Sequence, residues 1–145
     1  AAVEAALQEL LTKDRHLLEV DANERSLTHR FGMYLQQQLQ HFDVDCEYNR
    51  NGPVPKTISA NLISPTADDT DAKTVFPDVI AHKRGRGGSE NNYLVIEFKK
   101  STNTTSHSVD LDKLRAYKSE LAYKFALFIE LATGSNPGVK QVQWI

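Results

Sequence analysis

The sequence contains a single cysteine, and no apolar run in it approaches the roughly 20 residues that span a bilayer. Because Cys46 has no partner for an internal disulfide, we expect a cytoplasmic protein without a membrane segment. The five histidines show no His-x-x-x-His spacing, and no Gly-x-x-x-x-Gly-Lys segment occurs. Zinc-dependent hydrolysis with a His-x-x-x-His ligand pair and ATP-driven chemistry are therefore not indicated. Ser-His-Asp and Cys-His catalysis have no specific support.

The composition predicts one soluble domain over residues 1–145, with 40% hydrophobic and 25% charged residues. The net charge is −2, so the chain as a whole lacks the excess of basic residues that is typical of nucleic-acid binding. Basic residues are nevertheless concentrated in one part of the chain. Residues 83–124 contain nine Lys or Arg and five Asp or Glu, a balance of +4, whereas the remainder has a balance of −6. The candidate chemistry lies largely in this basic part.

Hydrophobic periodicity predicts two N-terminal helices followed by strands. The helices are expected over Ala1–Glu19 and from near Asp21 to Phe42, with Asp21 or Asn23 as the N-cap of the second. A third helix is expected over Asp110–Leu121. Strands are expected over Val44–Tyr48, Thr74–His82, Tyr93–Lys100, Phe125–Leu131 and Gln141–Ile145, with a short strand around Thr57–Ile63 in a polar loop. This order predicts an α/β fold in which helices flank a mixed β-sheet.

Three ionisable residues interrupt otherwise apolar strands: Asp78, Glu97 and Lys99. An ionised group is costly to bury unless it is paired or binds a metal. Because side chains alternate along a strand, Glu97 and Lys99 project from one face, about 7 Å apart at the backbone. If the connecting hairpin closes about Gly87 and Gly88, Asp78 lies directly opposite Glu97, with Cβ atoms about 4.5–5.5 Å apart. Carboxylates at that separation repel each other unless they share a divalent cation.

Phe76-Pro77-Asp78 is followed, nineteen residues after Asp78, by Glu97-Phe98-Lys99. This pattern resembles the motif of the PD-(D/E)xK nucleases, which lies on two adjacent strands. The order of predicted elements is similar to that family's restriction-endonuclease-like core, α-β-β-β-α-β, with an extra N-terminal helix. The resemblance implies hydrolysis of phosphodiester bonds in DNA, with RNA as the less favoured alternative, and Mg²⁺ or Mn²⁺ as the cofactor.

The resemblance also implies a role for individual residues. Asp78, Glu97 and the backbone carbonyl of Phe98 would bind the metal ion through oxygen atoms. Lys99 would orient or help to deprotonate the attacking water and offset charge on the phosphate. Glu24 matches an acid that family members often place on the first core helix, although a place in a capping box explains it equally well.

Several residues are candidates for nucleic-acid contact. Lys83, Arg84 and Arg86 lie beside glycines in the hairpin connector, where they either contact phosphates or form a solubilising tip. Lys113 and Tyr117 have the spacing of the Gln-x-x-x-Tyr segment of RecB-type members, with lysine in place of glutamine. We expect nucleic acid as the partner, with a homodimer or a partner protein as further options.

Other readings remain open at this point. The three ionisable residues of the strands could instead form a strand end and a local ion pair, and the protein could be a non-catalytic binding module for nucleic acid or protein on the same fold. Cys46 is expected to be a small core residue, and Lys100, which points away from Lys99, to be structural. Asp68, Asp69 and Asp71 are expected in a solvated loop.

Overall fold

The structure is a computed structural model that describes residues 1–59 and 72–145. The acidic cluster of Asp68, Asp69 and Asp71 lies outside the described residues, as does most of the strand expected around Thr57–Ile63. None of the described helices combines the length and the hydropathy that crossing a bilayer requires.

Three helices precede the first strand: α1 (Ala2–Lys13), α2 (Arg15–Glu19) and α3 (Glu24–Gln38). The prediction of one continuous helix over Ala1–Glu19 is wrong, because the backbone leaves the helical conformation at Asp14. The Asp14 carboxylate accepts hydrogen bonds from Arg30 Nε, at 3.0 Å, and from the Tyr34 hydroxyl. Both partners lie on α3, so the break between α1 and α2 is fixed by packing against α3.

Helix α3 begins at Glu24, and Asn23 is its N-cap. The Asn23 side chain accepts a hydrogen bond from the backbone N–H of Ser26 at 2.8 Å, which satisfies one of the free donors of the first turn. Of the two caps that the sequence offered, Asn23 is confirmed and Asp21 is wrong. The Glu24 carboxylate makes its hydrogen bonds elsewhere.

The remaining elements are β1 (Asp43–Cys46), β2 (Arg50–Asn51), β3 (Val54–Pro55), β4 (Thr57–Ser59), β5 (Ala72–Thr74), β6 (Val79–His82), β7 (Asn92–Lys100), α4 (His107–Leu121), β8 (Phe125–Ala132) and β9 (Gly138–Trp144). Five of the strands form one sheet in the order β1-β6-β7-β8-β9. Strands β7 and β8 are parallel and the other neighbours are antiparallel, so the predicted mixed sheet with flanking helices is confirmed.

Two predicted boundaries need correction. A single strand over Thr74–His82 is wrong, because residues 75–78 separate β5 from β6. Pro77 in this segment has no N–H to donate to a sheet ladder. Helix α4 begins three residues before the expected Asp110, since Ser106 caps it by accepting a hydrogen bond from Ser108 N at 3.2 Å.

The two faces of the sheet bury two separate apolar cores. Helices α1 and α3 cover one face, where residues such as Leu10 and Phe31 pack near Ile96 and Phe98 of β7. Helix α4 covers the other face, with its buried residues Leu114, Tyr117 and Leu121 packed near Val95 and Phe128. The strand expected over Phe125–Leu131 is confirmed, and residues 126–131 of β8 are all buried. Alternate side chains of β7 therefore face different helices.

The β6–β7 hairpin has the register that the sequence predicted. Val79 lies opposite Ile96 and Ile80 opposite Val95, which extrapolates to Asp78 opposite Glu97. A bulge between Ala81 and His82 shifts the register only at the far end of the hairpin.

The expectation that Cys46 of β1 is a small core residue is wrong. Cys46 is exposed rather than part of a core, because it lies at the end of an edge strand; its thiol donates to Thr28 O at 3.4 Å. Asp45, the residue before Cys46, lies 2.7 Å from Nε2 of the buried His82.

Substitution of Phe31 tests how much of the stability comes from the core that α1 and α3 form with the sheet. Its ring is fully buried and packs edge-on against Phe98, with ring centroids 4.9 Å apart. We expect Phe31→Ala to lower the free energy of unfolding by about 3–5 kcal/mol in urea titrations. Met33→Ala, on the exposed side of the same helix, should change it by about 0.5 kcal/mol or less. Equal effects of the two substitutions would contradict this packing.

Candidate functional site between the hairpin and helix α4

The start of β6 and the middle of β7 bring two carboxyl groups together. Asp78 directly precedes β6, and its Oδ2 accepts a hydrogen bond from Phe98 N at 2.8 Å. Glu97 projects from β7 towards α4 and is 2% exposed. The carboxyl groups of Asp78 and Glu97 lie within hydrogen-bond reach of each other. The side chains that the sequence predicted to be opposed are therefore adjacent.

Burial makes this pair of acids hard to ionise completely. It raises the pKa of Glu97 well above its ordinary value, and the nearby charge of Asp78 raises it further. Burial also raises the pKa of Asp78, against the opposing effects of hydrogen bonds from Glu97 and Phe98 N. The positive charge of Lys113 favours ionisation of both acids. Without a further cation, the pair favours retention of a proton.

Tyr117 holds Glu97 from the α4 side. Its hydroxyl donates a hydrogen bond to Glu97 Oε1 at 3.0 Å, and its side chain is fully buried. The prediction that Tyr117 contacts nucleic acid is wrong for this structure, because the side chain has no exposed surface. Burial, and then the negative charge of Glu97, raise the pKa of Tyr117 well above its ordinary value, so the hydroxyl keeps its proton and remains a donor.

Lys99 lies on the same sheet face as Glu97, as the alternation predicts. Its Nζ lies 2.9 Å from Asp110 Oδ2, and both side chains are largely buried. The sequence analysis missed Asp110, because an aspartate in the first turn of a helix is common for electrostatic reasons alone. A signal was present in the spacing, since Asp110 shares a helix face with Lys113 and Tyr117 at steps of three and four.

A further buried acid, Glu130, lies on β8 beside this group. It is opposite Lys99 in the parallel register and 5% exposed. Its Oε2 lies 3.5 Å from His107 Nε2 and 3.8 Å from Lys140 Nζ. Glu130 is the single acid among the apolar residues of Phe125–Leu131, and it was not among the residues singled out from the sequence.

Glu24 approaches Asp78 from the opposite side of the sheet. Its Oε2 accepts hydrogen bonds from Lys100 N at 3.4 Å and Asn103 Nδ2 at 3.2 Å. It also shares a polar cavity of about 380 Å³, whose lining residues are Asn23, Glu24, Arg25, Thr28, Glu47 and Asp78. Glu24 is therefore near the acid pair, as the sequence analysis suggested. Lys100 instead pairs with Asp21 at 3.2 Å, in keeping with the structural role expected for it.

The hairpin tip is not part of this cluster. Lys83, Arg84 and Arg86 follow β6, and the five residue steps from Asp78 to Lys83 span about 17 Å in an extended strand. Arg84 Nε donates to Asp45 Oδ2 at 2.9 Å, so this arginine is already engaged. Of the predicted basic contacts, Lys113 is the one whose charge affects the pKa values of the two acids.

The residues present fit a cation that needs few protein ligands. Within residues 1–59 and 72–145, no three His, Cys, Asp or Glu side chains form a metal-binding group. Mg²⁺ commonly takes one or two carboxylates and keeps several waters, which the pair of Asp78 and Glu97 could satisfy with the Phe98 carbonyl. The raised pKa values of both acids support this fit, because a bound cation would compensate the charge that burial penalises.

Comparison of the chain with protein-family models, with curated proteins and with solved structures finds no match. The function is therefore inferred from the geometry and chemistry of the site itself.

Glu97→Gln tests the electrostatic cost of the acid pair. Because the folded-state pKa of Glu97 lies above its ordinary value of 4.5, its ionisation destabilises the fold as the pH rises above that value. We expect the metal-free variant to be more stable than the wild type at about pH 7.5, by on the order of 1 kcal/mol. The difference should shrink towards about pH 4, where the wild type keeps its proton. Urea unfolding at both pH values measures it, and a difference that does not depend on pH would contradict the account.

Proposed function

We propose that the protein is a metal-dependent nuclease of the PD-(D/E)xK class, with a restriction-endonuclease-like core, that hydrolyses phosphodiester bonds in DNA. The main support is the adjacency of Asp78 and Glu97, with Lys99 on the same sheet face two residues later. The order of the elements also supports the proposal. If the short strands β2–β5 are taken as an insertion, the order follows the α-β-β-β-α-β pattern of that core, with α3, β1, β6, β7, α4 and β8 as its members.

Asp78 and Glu97, with the Phe98 carbonyl, would hold Mg²⁺ or Mn²⁺. A bound ion supplies positive charge that lowers the pKa of a water molecule and polarises the phosphate. The chain fixes both carboxylates before any ion binds. The backbone N–H of Phe98 holds Asp78, and the Tyr117 hydroxyl holds Oε1 of Glu97. Such preorganisation avoids the cost of ordering the ligands at the time of reaction.

Two lysines would act on the substrate side of the proposed site. Lys99 would orient the attacking water and offset the charge that develops on the phosphate. Lys113 would add a second positive charge near the two carboxylates, in keeping with its effect on their pKa values. Glu24, in the cavity that also contains Asp78, would be the additional acid of the site.

Nucleic-acid affinity needs positive charge that the chain as a whole lacks, since its net charge is −2. We propose that a second copy of the chain or a partner protein contributes to DNA binding. Lys83 and Arg86 on the exposed hairpin tip remain proposed phosphate contacts at a distance from the acids.

Calorimetry with Mn²⁺ tests the metal site without a choice of substrate. We expect the wild type to bind Mn²⁺ and Glu97→Ala to lose binding. Glu130→Gln is the matched control, because Glu130 is also a buried glutamate on the α4 side of the sheet but is not part of the acid pair. Binding that is equal in the wild type and Glu97→Ala would favour the alternative, a non-catalytic binding module.

Cleavage of DNA with Mn²⁺ tests the chemistry. We expect Asp78→Ala and Lys99→Met to lower the rate by about 10²–10³-fold or more, because the first removes a proposed metal ligand and the second a positive charge beside the reacting phosphate. Lys100→Met, whose lysine pairs with Asp21 instead, should cleave at the wild-type rate. Wild-type cleavage by Lys99→Met would contradict the proposed role of this lysine.

A further inference from the structure

Lys99 is a buried cation whose counterion has no place in the mechanism proposed above. Its side chain is 5% exposed, and its Nζ lies 2.9 Å from Oδ2 of Asp110, whose side chain is 11% exposed. We propose that Asp110 is a positioning residue that fixes the Lys99 ammonium on the sheet face that also carries Glu97. This inference rests on the proposed nuclease function.

A lysine needs such a partner more than an arginine does. Its ammonium is a compact point charge on a flexible four-carbon stem, so nothing in the side chain itself fixes its direction. A buried ammonium is also strongly destabilising unless a carboxylate compensates it. Asp110 supplies the charge and defines the position of Nζ.

The other nearby carboxylates are engaged with different partners. Glu97 accepts from the Tyr117 hydroxyl at 3.0 Å and lies within hydrogen-bond reach of Asp78. Glu130 is opposite Lys99 across the β7–β8 pairing, but its carboxylate faces His107 at 3.5 Å. Among the described residues, Asp110 is the carboxylate that forms an ion pair with Lys99.

Helix α4 makes the position of Asp110 definite. Asp110 lies in the first turn, which Ser106 caps, and Tyr117 lies two turns later on the same face. One rigid element therefore holds Glu97 through Tyr117 and Lys99 through Asp110. The relative position of the carboxylate and the ammonium depends on this helix, and a displacement of about 1 Å in such a group can cost 100-fold in rate.

The test measures kcat, KM and Mn²⁺ affinity for variants of Asp110, with labelled duplex DNA as the substrate. Asp110→Asn keeps the shape and removes the charge. We expect kcat to fall about 100-fold, while KM and Mn²⁺ affinity stay within about twofold of the wild type. Asp110→Glu, which restores the charge on a longer side chain, should give an intermediate kcat. Asp112→Asn is the matched control on the same helix, because Asp112 is exposed and pairs with Arg115 at 2.9 Å; it should behave as the wild type.

The double variant Lys99→Met/Asp110→Asn identifies the route of the effect. If Asp110 acts through Lys99, the double variant cleaves no more slowly than Lys99→Met alone. The proposal would be overturned if the fall in kcat of the double variant equalled the product of the two single-variant falls. It would also be overturned if Asp110→Asn had the wild-type kcat. Loss of Mn²⁺ binding in a folded Asp110→Asn would also overturn it, since a metal-binding role would then replace positioning.

Two further outcomes are distinguishable. If Asp110→Asn does not fold, as shown by circular dichroism, Asp110→Glu decides: an unchanged kcat would mean that Asp110 only balances charge and would overturn the proposal. If the wild type neither binds Mn²⁺ nor cleaves DNA, the nuclease function itself fails and this inference fails with it.

Discussion

Compensation of buried charge between the sheet and helix α4 is the constraint on which the candidate site depends. Acids and a lysine on β7 and β8 face an otherwise apolar helix interface, where unpaired charges would strongly destabilise the fold. Helix α4 provides a partner for each of them. The pairs across this interface are Lys99 with Asp110, Glu97 with Tyr117, and Glu130 with His107, while Lys113 lowers the cost of ionising the acids. The negative charge that Asp78 and Glu97 would carry is only partly compensated by Lys113, and this is the basis of the cation binding that we propose.

The opposite face of the sheet supports this arrangement by ordinary packing. Alternation along β7 sends Ile96 and Phe98 into the core with α1 and α3, which leaves Glu97 and Lys99 on the α4 side. The same strand uses its backbone, through Phe98 N, to hold Asp78. Substitutions in the α1/α3 core should therefore affect stability first and the geometry of the site through β7.

The parts of the site that follow from local periodicity could be predicted from the sequence. The period of two placed Glu97 and Lys99 on one face, and the glycines of the connector predicted the hairpin register that sets Asp78 against Glu97. Contacts between distant elements were beyond it. The pairing of Lys99 with Asp110 depends on where α4 docks, and the exposure of Cys46 depends on its strand being at the sheet edge. Tyr117 has a spacing that suggested function, but only packing decides that its hydroxyl faces Glu97 rather than a ligand.

The central claim is that Asp78 and Glu97 together bind one divalent cation, and anomalous X-ray diffraction from crystals grown with Mn²⁺ tests it most directly. We predict a single strong anomalous peak bonded to a carboxylate oxygen of each acid. A peak bonded to neither acid, or no peak at millimolar Mn²⁺ in the presence of DNA, would contradict the claim.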